Sequence, residues 1–104
     1  MNFEVRFSPQ AVEDLERLFD FLLDSARTQE DLLQADAALE AIHTAVTERL
    51  STTPYIFRKA GASPTRRELI IPFGASGYVA LYEIATDAHL VVLAVRHQRE
   101  EDYH

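Results

Sequence analysis

The feature that most limits the fold is a pair of apolar runs, rich in β-branched residues, in the carboxyl-terminal third of the chain. The runs are Tyr78 to Ile84 and Leu90 to Val95, and Ala-Thr-Asp-Ala-His separates them. Two such runs with a short polar connection are typical of adjacent antiparallel strands. The second run is uninterrupted by polar residues, which indicates a strand covered on both faces. The sequence therefore predicts that this strand pair is the spine of the fold.

Cationic and titratable side chains follow where the second run ends. Arg96, His97 and Arg99 come directly after Val95. Loops and strand ends can present polar groups that a core excludes, so this exit is a candidate functional site. The alternative is that these residues only keep the end of an apolar strand soluble. The sequence leaves both interpretations open.

The amino-terminal segment predicts a strand followed by a helix. Asn2 to Phe7 alternates between polar and apolar residues, as a half-buried strand does. Pro9 suits the first turn of a helix, and Ser8 is the predicted N-cap. Apolar residues then recur at helical spacing, namely Val12, Leu15, Leu18, Phe19, Leu22, Leu23 and Ala26. The charged side chains are expected to face away from this stripe, namely Glu13, Asp14, Glu16, Arg17, Asp20 and Asp24.

A second helix is predicted after a break near Arg27 to Gln29. Thr28 is its expected N-cap, and Asp31 takes the position of a capping-box acid. Apolar residues at spacings of three or four continue to the end of the helix before Pro54, namely Leu32, Ala35, Leu39, Ile42, Val46 and Leu50. Two amphipathic helices with a short connection form an antiparallel helical hairpin.

The segment between the helices and the spine is irregular. Tyr55 to Phe57 is expected to fold back and cap the core, and Arg66 to Ile71 is a strand candidate that Pro72 closes. Gly74 to Gly77 is the predicted turn into the spine. The element order predicts an α+β fold in a single domain over residues 1–104. It consists of an amino-terminal strand, a two-helix hairpin and a three-strand antiparallel meander. Together the strands form one mainly antiparallel four-stranded sheet, with the helices packed on one face.

Composition and charge exclude several classes of function. With no cysteine, neither disulfides nor thiolate zinc sites are available, and the four histidines have no clustered spacing for a metal. We expect no cofactor. No run approaches the roughly 20 apolar residues of a membrane span, so we expect no membrane partner and a cytoplasmic location. Residues 1–51 hold 11 acidic and 4 basic side chains, whereas residues 52–99 hold 3 acidic and 6 basic ones. An acidic half is poorly suited to wrapping nucleic acid, so direct nucleic-acid binding is not expected.

Several segments in this order resemble the ParE/RelE superfamily of toxins from type II toxin–antitoxin modules. The resemblance covers nearly the whole chain and favours the ParE-like branch. The segments that carry it are Val5 to Leu22, Leu50 with Pro54 and Tyr55, Arg67-Glu68-Leu69, Tyr78 to Tyr82, and Val95 to Arg99.

The ParE-like resemblance implies a toxin that inhibits DNA gyrase by binding and is neutralised by a ParD-like antitoxin. In that case no side chain is catalytic, and the protein is not an enzyme. The expected target-binding surface is cationic and comprises Arg67, Arg96, His97 and Arg99. The antitoxin is expected to fold a disordered segment onto the toxin, typically as an amphipathic helix in a groove.

A RelE-like alternative implies a ribosome-dependent mRNA endoribonuclease. Attack by a 2′-hydroxyl needs a base, a cation for the phosphate and an acid for the leaving oxygen. Candidates are Glu68 or His97 as base, Arg67 and Arg96 as the phosphate clamp, and Tyr82 or His97 as acid. RelE-like enzymes use several Lys and Arg to hold mRNA, whereas this chain has Lys59 as its one lysine and a pI near 4.9. A third interpretation is a non-toxic interaction protein of the same fold.

Overall fold

The computed structural model describes residues 2–100, 102 and 103 and confirms the α+β class. The strands are β1 (Glu4–Phe7), β2 (Arg58–Lys59), β3 (Arg66–Phe73), β4 (Ser76–Ile84) and β5 (His89–His97). The helices are α1 (Pro9–Ser25), α2 (Gln29–Thr52) and a 3-10 turn at Pro54–Ile56. The sheet has the order β1-β5-β4-β3-β2, in which β1 runs parallel to β5 and the other pairs are antiparallel. Within the described residues, no helix is long and apolar enough to cross a membrane.

Both helices begin where their capping residues predict. Ser8 Oγ accepts a hydrogen bond from the Ala11 amide at 3.1 Å, and Pro9 is the first residue of α1. Thr28 Oγ1 accepts one from the Asp31 amide at 3.1 Å, and Asp31 in turn accepts from the amide of Arg27. These bonds satisfy amides that have no partner inside the helix, which fixes the break between α1 and α2.

The core lies between the helical hairpin and one face of the sheet. Directly paired residues on neighbouring strands point to the same face, and alternate residues along a strand point to opposite faces. Both helices and this sheet face contribute to one buried cluster, whose members include Leu18, Ile42, Val46, Leu50, Leu69, Ile71, Tyr82, Leu90, Val92 and Val95. We call the other side of the sheet the helix-free face.

The central strand β5 contains a bulge that α1 holds in place. Leu81 pairs with Ala94 and Tyr82 pairs with Val92, so Leu93 is an extra residue on β5. Ser8 Oγ donates to the Leu93 carbonyl at 2.9 Å, and Asp14 Oδ2 accepts from the Val95 amide at 2.9 Å. The prediction that Asp14 faces away from the core is therefore wrong. Its side chain is buried because it accepts from a backbone amide of β5 that lies beyond Val92, where the pairing with β1 ends.

Five other sequence predictions need correction. The sheet has a fifth strand, the two-residue β2, beyond the four predicted. Pro72 lies inside β3 and does not end it, and the turn into β4 is shorter than predicted, because only residues 74 and 75 separate the two strands. Tyr55 and Ile56 are exposed, and only Phe57 of that triplet packs against the core. Val91 and Leu93 are half-buried, so β5 is fully covered on one face only.

Candidate functional site

The predicted site residues divide between the two faces of the sheet. Arg67 pairs with Tyr82, and His97 pairs with Tyr78, which places these four side chains on the face that the helices cover. Arg96 pairs with Val79, and Glu68 pairs with Leu81, so both lie on the helix-free face. The structure therefore does not bring Arg67, Arg96, His97 and Arg99 together as one cationic surface.

Arg67 is held by the segments on both sides of β2. Its Nη1 donates to the Phe57 carbonyl at 2.8 Å and its Nη2 to the Pro64 carbonyl at 3.3 Å. The guanidinium also lies 5.8 Å from the ring centroid of Tyr55. With two carbonyls and an aromatic ring as partners, Arg67 anchors the loop against β3.

Tyr82 is a core residue with a structural hydrogen bond. Its side chain is 0% exposed, and its hydroxyl donates to the Pro54 carbonyl. Burial raises the pKa of Tyr82 to about 12, although the Arg67 charge acts in the opposite direction. A buried phenol whose proton is already donated to the backbone cannot reach a leaving group on a substrate.

His97 lies at the end of a groove between α1 and the end of β5. Its Nε2 is 3.0 Å from Ser76 Oγ, and its Nδ1 accepts from the Arg99 amide at 3.1 Å. The imidazole also meets the Tyr78 ring edge to face, at 5.5 Å between centroids. Because Nδ1 accepts this bond, Nε2 is the ring nitrogen left to donate to Ser76 Oγ.

The groove has apolar walls and a charged end. Its volume is about 510 Å³, and it is lined by Arg17, Leu18, Phe21, Leu22, Tyr78, His97, Arg99 and Glu100. Phe21 is 68% exposed on one wall. Arg17 donates to Glu100 at 3.2 Å across the groove end, and the exposed Arg99 lies beside this pair. A groove of this kind suits an amphipathic peptide better than a small polar substrate.

A second cluster occupies the helix-free face. Glu68 accepts from Arg58 Nε at 2.8 Å through one carboxylate oxygen and from the Tyr103 hydroxyl at 2.6 Å through the other. The Arg96 guanidinium lies 5.1 Å from the Tyr103 ring centroid. Burial raises the pKa of Tyr103, and the hydrogen bond to Glu68 raises it further. The phenol therefore stays protonated and keeps donating to Glu68 at neutral pH.

The sequence of this chain matches the model of a known protein family over nearly its whole length. Residues 5–102 match the model described as ParE toxin of type II toxin–antitoxin system, parDE. This chain belongs to the ParE toxin family. It is accordingly a toxin of the ParE/RelE superfamily of type II toxin–antitoxin systems.

Relatives and solved structures agree with this membership. The chain is 34% identical to Toxin RelE3 of Caulobacter vibrioides over 96 residues, which cover 92% of this chain and 95% of that protein. Its fold is similar to a chain of the chromosomal ParDE system from P. aeruginosa, with a TM-score of 0.70, 14% identity and coverage of 91% and 95%. It is also similar to a chain of the RelBE2 toxin–antitoxin complex from Mycobacterium tuberculosis, with a TM-score of 0.64, 19% identity and coverage of 96% and 95%.

Two residues at the sites of this ParE-family chain escaped the sequence analysis. Arg17 was assigned to the solvent side of α1, yet it lines the groove and pairs with Glu100. Apolar periodicity does not indicate Tyr103 as a site residue, because it follows an acidic stretch that has no such periodicity. The feature of the sequence that could have indicated Tyr103 is its aromatic ring, because aromatic rings often contact cationic side chains.

No metal centre is formed by the described residues, which contain no group of three or more His, Asp or Glu side chains close enough to hold an ion. The prediction for His104 lies outside the described residues. His43 stacks on Phe7, with 6.3 Å between ring centroids, and His89 lies 3.0 Å from Glu4. His43, His89 and His97 therefore have local partners in separate parts of the fold.

Proposed function

We propose that this ParE-family toxin acts by binding DNA gyrase, without chemistry of its own, and that a ParD-like antitoxin neutralises it. The observation that carries the proposal is the separation of the ribonuclease candidates between the two faces of the sheet. Arg67, Tyr82 and His97 are on one face, and Glu68 and Arg96 are on the other. An RNA phosphate cannot contact both sets at once, which supports a toxin that binds its target.

The groove is the surface that we assign to the target. Phe21 offers a large exposed apolar side chain, and His97 and Arg99 supply polar and cationic groups at the end of the groove. Aromatic anchors surrounded by polar groups commonly provide most of the binding energy at protein interfaces. Arg67 is engaged by the Phe57 and Pro64 carbonyls, and Arg96 lies on the helix-free face, so we do not assign them to this surface.

Two observations support an antitoxin partner. The solved structures with this fold are described as a ParDE system and a RelBE2 toxin–antitoxin complex. The groove also has apolar walls formed by Leu18, Phe21 and Leu22, against which the apolar face of an amphipathic helix could pack. An antitoxin segment that places an apolar side chain against Phe21 and a carboxylate near Arg99 would occupy the surface assigned to gyrase. Neutralisation would then follow from direct competition in the cytoplasm.

The helix-free face favours a second candidate function, a ribosome-dependent mRNA endoribonuclease. Glu68, Tyr103 and Arg96 bring a carboxylate, a phenol and a guanidinium within contact of one another. These are the types of group that a base, an acid and a phosphate clamp require. The relative from Caulobacter vibrioides carries the name Toxin RelE3. In this chain Arg58 donates to one oxygen of Glu68 and Tyr103 donates to the other, so each carboxylate oxygen already has a partner.

Controlled induction in a bacterial host separates these proposals. DNA synthesis, translation and DNA-damage signalling are followed from the moment of induction. We expect damage signalling and cleaved DNA complexes first, while translation continues. If translation stops early and new mRNA ends appear at codon positions, the target is the ribosome and the gyrase proposal is wrong. Normal growth without any of these signals would indicate the non-toxic interaction protein.

A further inference from the structure

A second apolar cleft lies between α1 and α2, on the other side of α1 from the groove. Its cavity has a volume of about 260 Å³ and is lined by Leu15, Glu16, Phe19, Leu39 and His43. Residues three or four positions apart are neighbours on a helix surface, so each helix continues this lining in both directions. We call the whole feature the hairpin cleft, whose walls are formed by Val12, Leu15, Phe19 and Leu23 of α1 and Leu32, Leu39 and His43 of α2.

The walls of the hairpin cleft keep large apolar side chains in contact with solvent. Val12, Leu23 and Leu32 are between 37% and 46% exposed, and Phe19 and Leu39 are half-buried. Single apolar residues on a surface are ordinary, whereas facing rows of them mark an interaction site. The row from Val12 to Leu23 is about 16 Å long, which is about three turns of a helix.

Both rims of the hairpin cleft are acidic. Glu16 and Asp20 lie one turn apart on α1, and Asp36 and Glu40 lie one turn apart on α2. All four side chains are exposed, and none of them forms an ion pair with a described residue. The cleft therefore presents carboxylates that have no cationic partner within the described part of the chain.

The basic residues of the two helices do not neutralise these rims. Each helix contains one arginine. Arg17 lines the groove and pairs with Glu100, and Arg49 lies 4.8 Å from the ring centroid of Phe57. The two surfaces of α1 therefore differ in charge, because the groove ends in cationic groups and the hairpin cleft is bordered by anionic ones.

These charges discriminate between the occupants that an apolar cleft can take. A second copy bound across a two-fold axis would place the same face of both chains together, so acidic rims would meet acidic rims. Anionic lipids and nucleic-acid phosphates carry the same sign of charge and are repelled as well. A helix that has apolar residues on one face and Lys or Arg beside them matches both the walls and the rims.

We propose that the hairpin cleft is a docking site for a basic amphipathic helix of a partner protein. The apolar face of that helix would pack against Phe19 and Leu39, and its cations would pair with Glu16 and Asp36. Phe21 is two positions from Phe19, and residues two apart on a helix do not face the same way. The groove and the hairpin cleft can therefore be occupied together, and the proposal does not depend on whether gyrase or the ribosome is the target.

The test uses a fluorescently labelled model peptide, LKKLLKKLLKKLLK, whose leucines form one face of a helix. Fluorescence anisotropy measures its affinity for the purified full-length protein. The peptide SKKSSKKSSKKSSK keeps the charge and removes the apolar face, and LEELLEELLEELLE keeps the apolar face and reverses the charge. Circular dichroism reports whether the bound peptide becomes helical and whether each protein variant is folded.

Two pairs of protein variants locate the binding site. Glu16→Gln combined with Asp36→Asn removes two rim carboxylates, and Glu48→Gln combined with Asp87→Asn is its matched control. The control changes the net charge equally, at exposed positions that do not line the cleft. Leu32→Ser removes an apolar wall residue, and Ile56→Ser is its control, since Ile56 is exposed on the 3-10 turn after α2.

We expect the wild-type protein to bind LKKLLKKLLKKLLK as a helix and to bind the other two peptides at least about tenfold more weakly. The rim variant should lose about fivefold in affinity, as two exposed ion pairs predict, and its control should lose less than about twofold. Leu32→Ser should lose about threefold or more because apolar contact is removed, and Ile56→Ser should bind like the wild type. If Leu32→Ser is not folded, the rim pair and the peptide series decide the outcome.

Several results would overturn the proposal. Equal losses in the rim variant and its control would show that only the net charge attracts the peptide. Equal binding of the Leu and Ser peptides would exclude the apolar walls. Weaker binding to Phe21→Ser than to Leu32→Ser would place the peptide in the groove. A dimer in sedimentation experiments that Leu32→Ser dissociates would make a second copy of the chain the occupant.

Discussion

Asp14 and the backbone of Val95 form a buried hydrogen bond that ties α1 to the bulge of β5. Asp14 Oδ2 lies 2.9 Å from the Val95 nitrogen, and the side chain is 1% exposed. Asp14 Oδ1 also accepts from Gln10 Nε2 at 3.0 Å, so both oxygens have partners. The residues just beyond Val95 are Arg96 and His97, which point to opposite faces of the sheet. The bond therefore helps to determine the face of the sheet toward which each of these two side chains points.

Replacing Asp14 should destabilise the fold. Asp14→Ala leaves the Val95 amide buried without an acceptor, so we expect the free energy of unfolding to fall by about 2–3 kcal/mol. Asp14→Asn keeps one acceptor oxygen and should lose less. Urea denaturation measures both, with the exposed Glu13→Ala as control, which should change stability by about 0.5 kcal/mol or less. Equal stability of the Asp14→Ala and Glu13→Ala proteins would contradict this role.

Buried tyrosines should make stability fall at high pH. The pKa of Tyr82 rises from 10.0 to about 12 because burial disfavours the phenolate, and burial also raises the pKa of Tyr78. The stabilisation is fully present below pH 10 and is lost as pH rises toward 12. For Tyr82 alone it amounts to about 2–3 kcal/mol. Denaturation at pH 8 and pH 11.5 tests this, and Tyr82→Phe should show a smaller loss between the two values.

Gly77 should tolerate alanine less well than Gly74, although only Gly74 has a positive φ. A Cβ at Gly77 would overlap the Ile71 carbonyl oxygen across the hairpin, whereas one at Gly74 meets nothing within 4 Å. Gly74→Ala should lower the free energy of unfolding by only about 1–2 kcal/mol, which is the strain of a left-handed backbone conformation at alanine. Gly77→Ala should lower the free energy of unfolding by about 3 kcal/mol or more, because the backbone must move. Thermal unfolding of both proteins distinguishes them, and the reverse order would refute the packing argument.

Phe21 in the groove should matter for toxicity and hardly at all for stability. The side chain is 68% exposed, so Phe21→Ser removes little buried surface. Leu33→Ser is a matched control, since Leu33 is 61% exposed on α2 and does not line the groove. After induction, we expect Phe21→Ser to abolish growth inhibition and Leu33→Ser to retain it, with melting temperatures that agree within about 3 °C. Retained toxicity of Phe21→Ser would remove the groove from the target interface.

Local signals in the sequence were sufficient to predict most of the elements. Ser8 and Thr28 cap helices through atoms within three residues, and the apolar runs of β4 and β5 pair across a short connection. Such features depend on neighbouring residues and so are visible in the sequence. Pro72 does not end β3, contrary to the prediction, because its nitrogen lies on the outer side of the strand, where β2 is no longer paired and no partner needs the missing N–H.

The arrangement of the site depended on contacts between distant segments. The Leu93 bulge inverts the phase of β5, and a shift of one residue moves every side chain to the other face. Nothing near Arg96 or His97 in the sequence indicates where that bulge lies. Asp14 looked like a solvent-facing acid because its partner, the Val95 amide, is 81 residues away. The sequence therefore placed Arg96, His97 and Arg99 at the end of β5 but did not indicate which face each one occupies or that Arg17 and Tyr103 lie near them.

The most direct measurement of the central claim uses purified protein with DNA gyrase, relaxed plasmid and ATP. Supercoiling and the formation of linear plasmid are followed on gels, with Phe21→Ser as the control protein. The account predicts that the wild-type toxin inhibits supercoiling and accumulates linear DNA, and that Phe21→Ser does neither. In parallel, the same protein is added to ribosomes that carry mRNA, and cleavage of that mRNA is measured. Unaltered gyrase activity together with cleavage of the ribosome-bound mRNA would contradict the account.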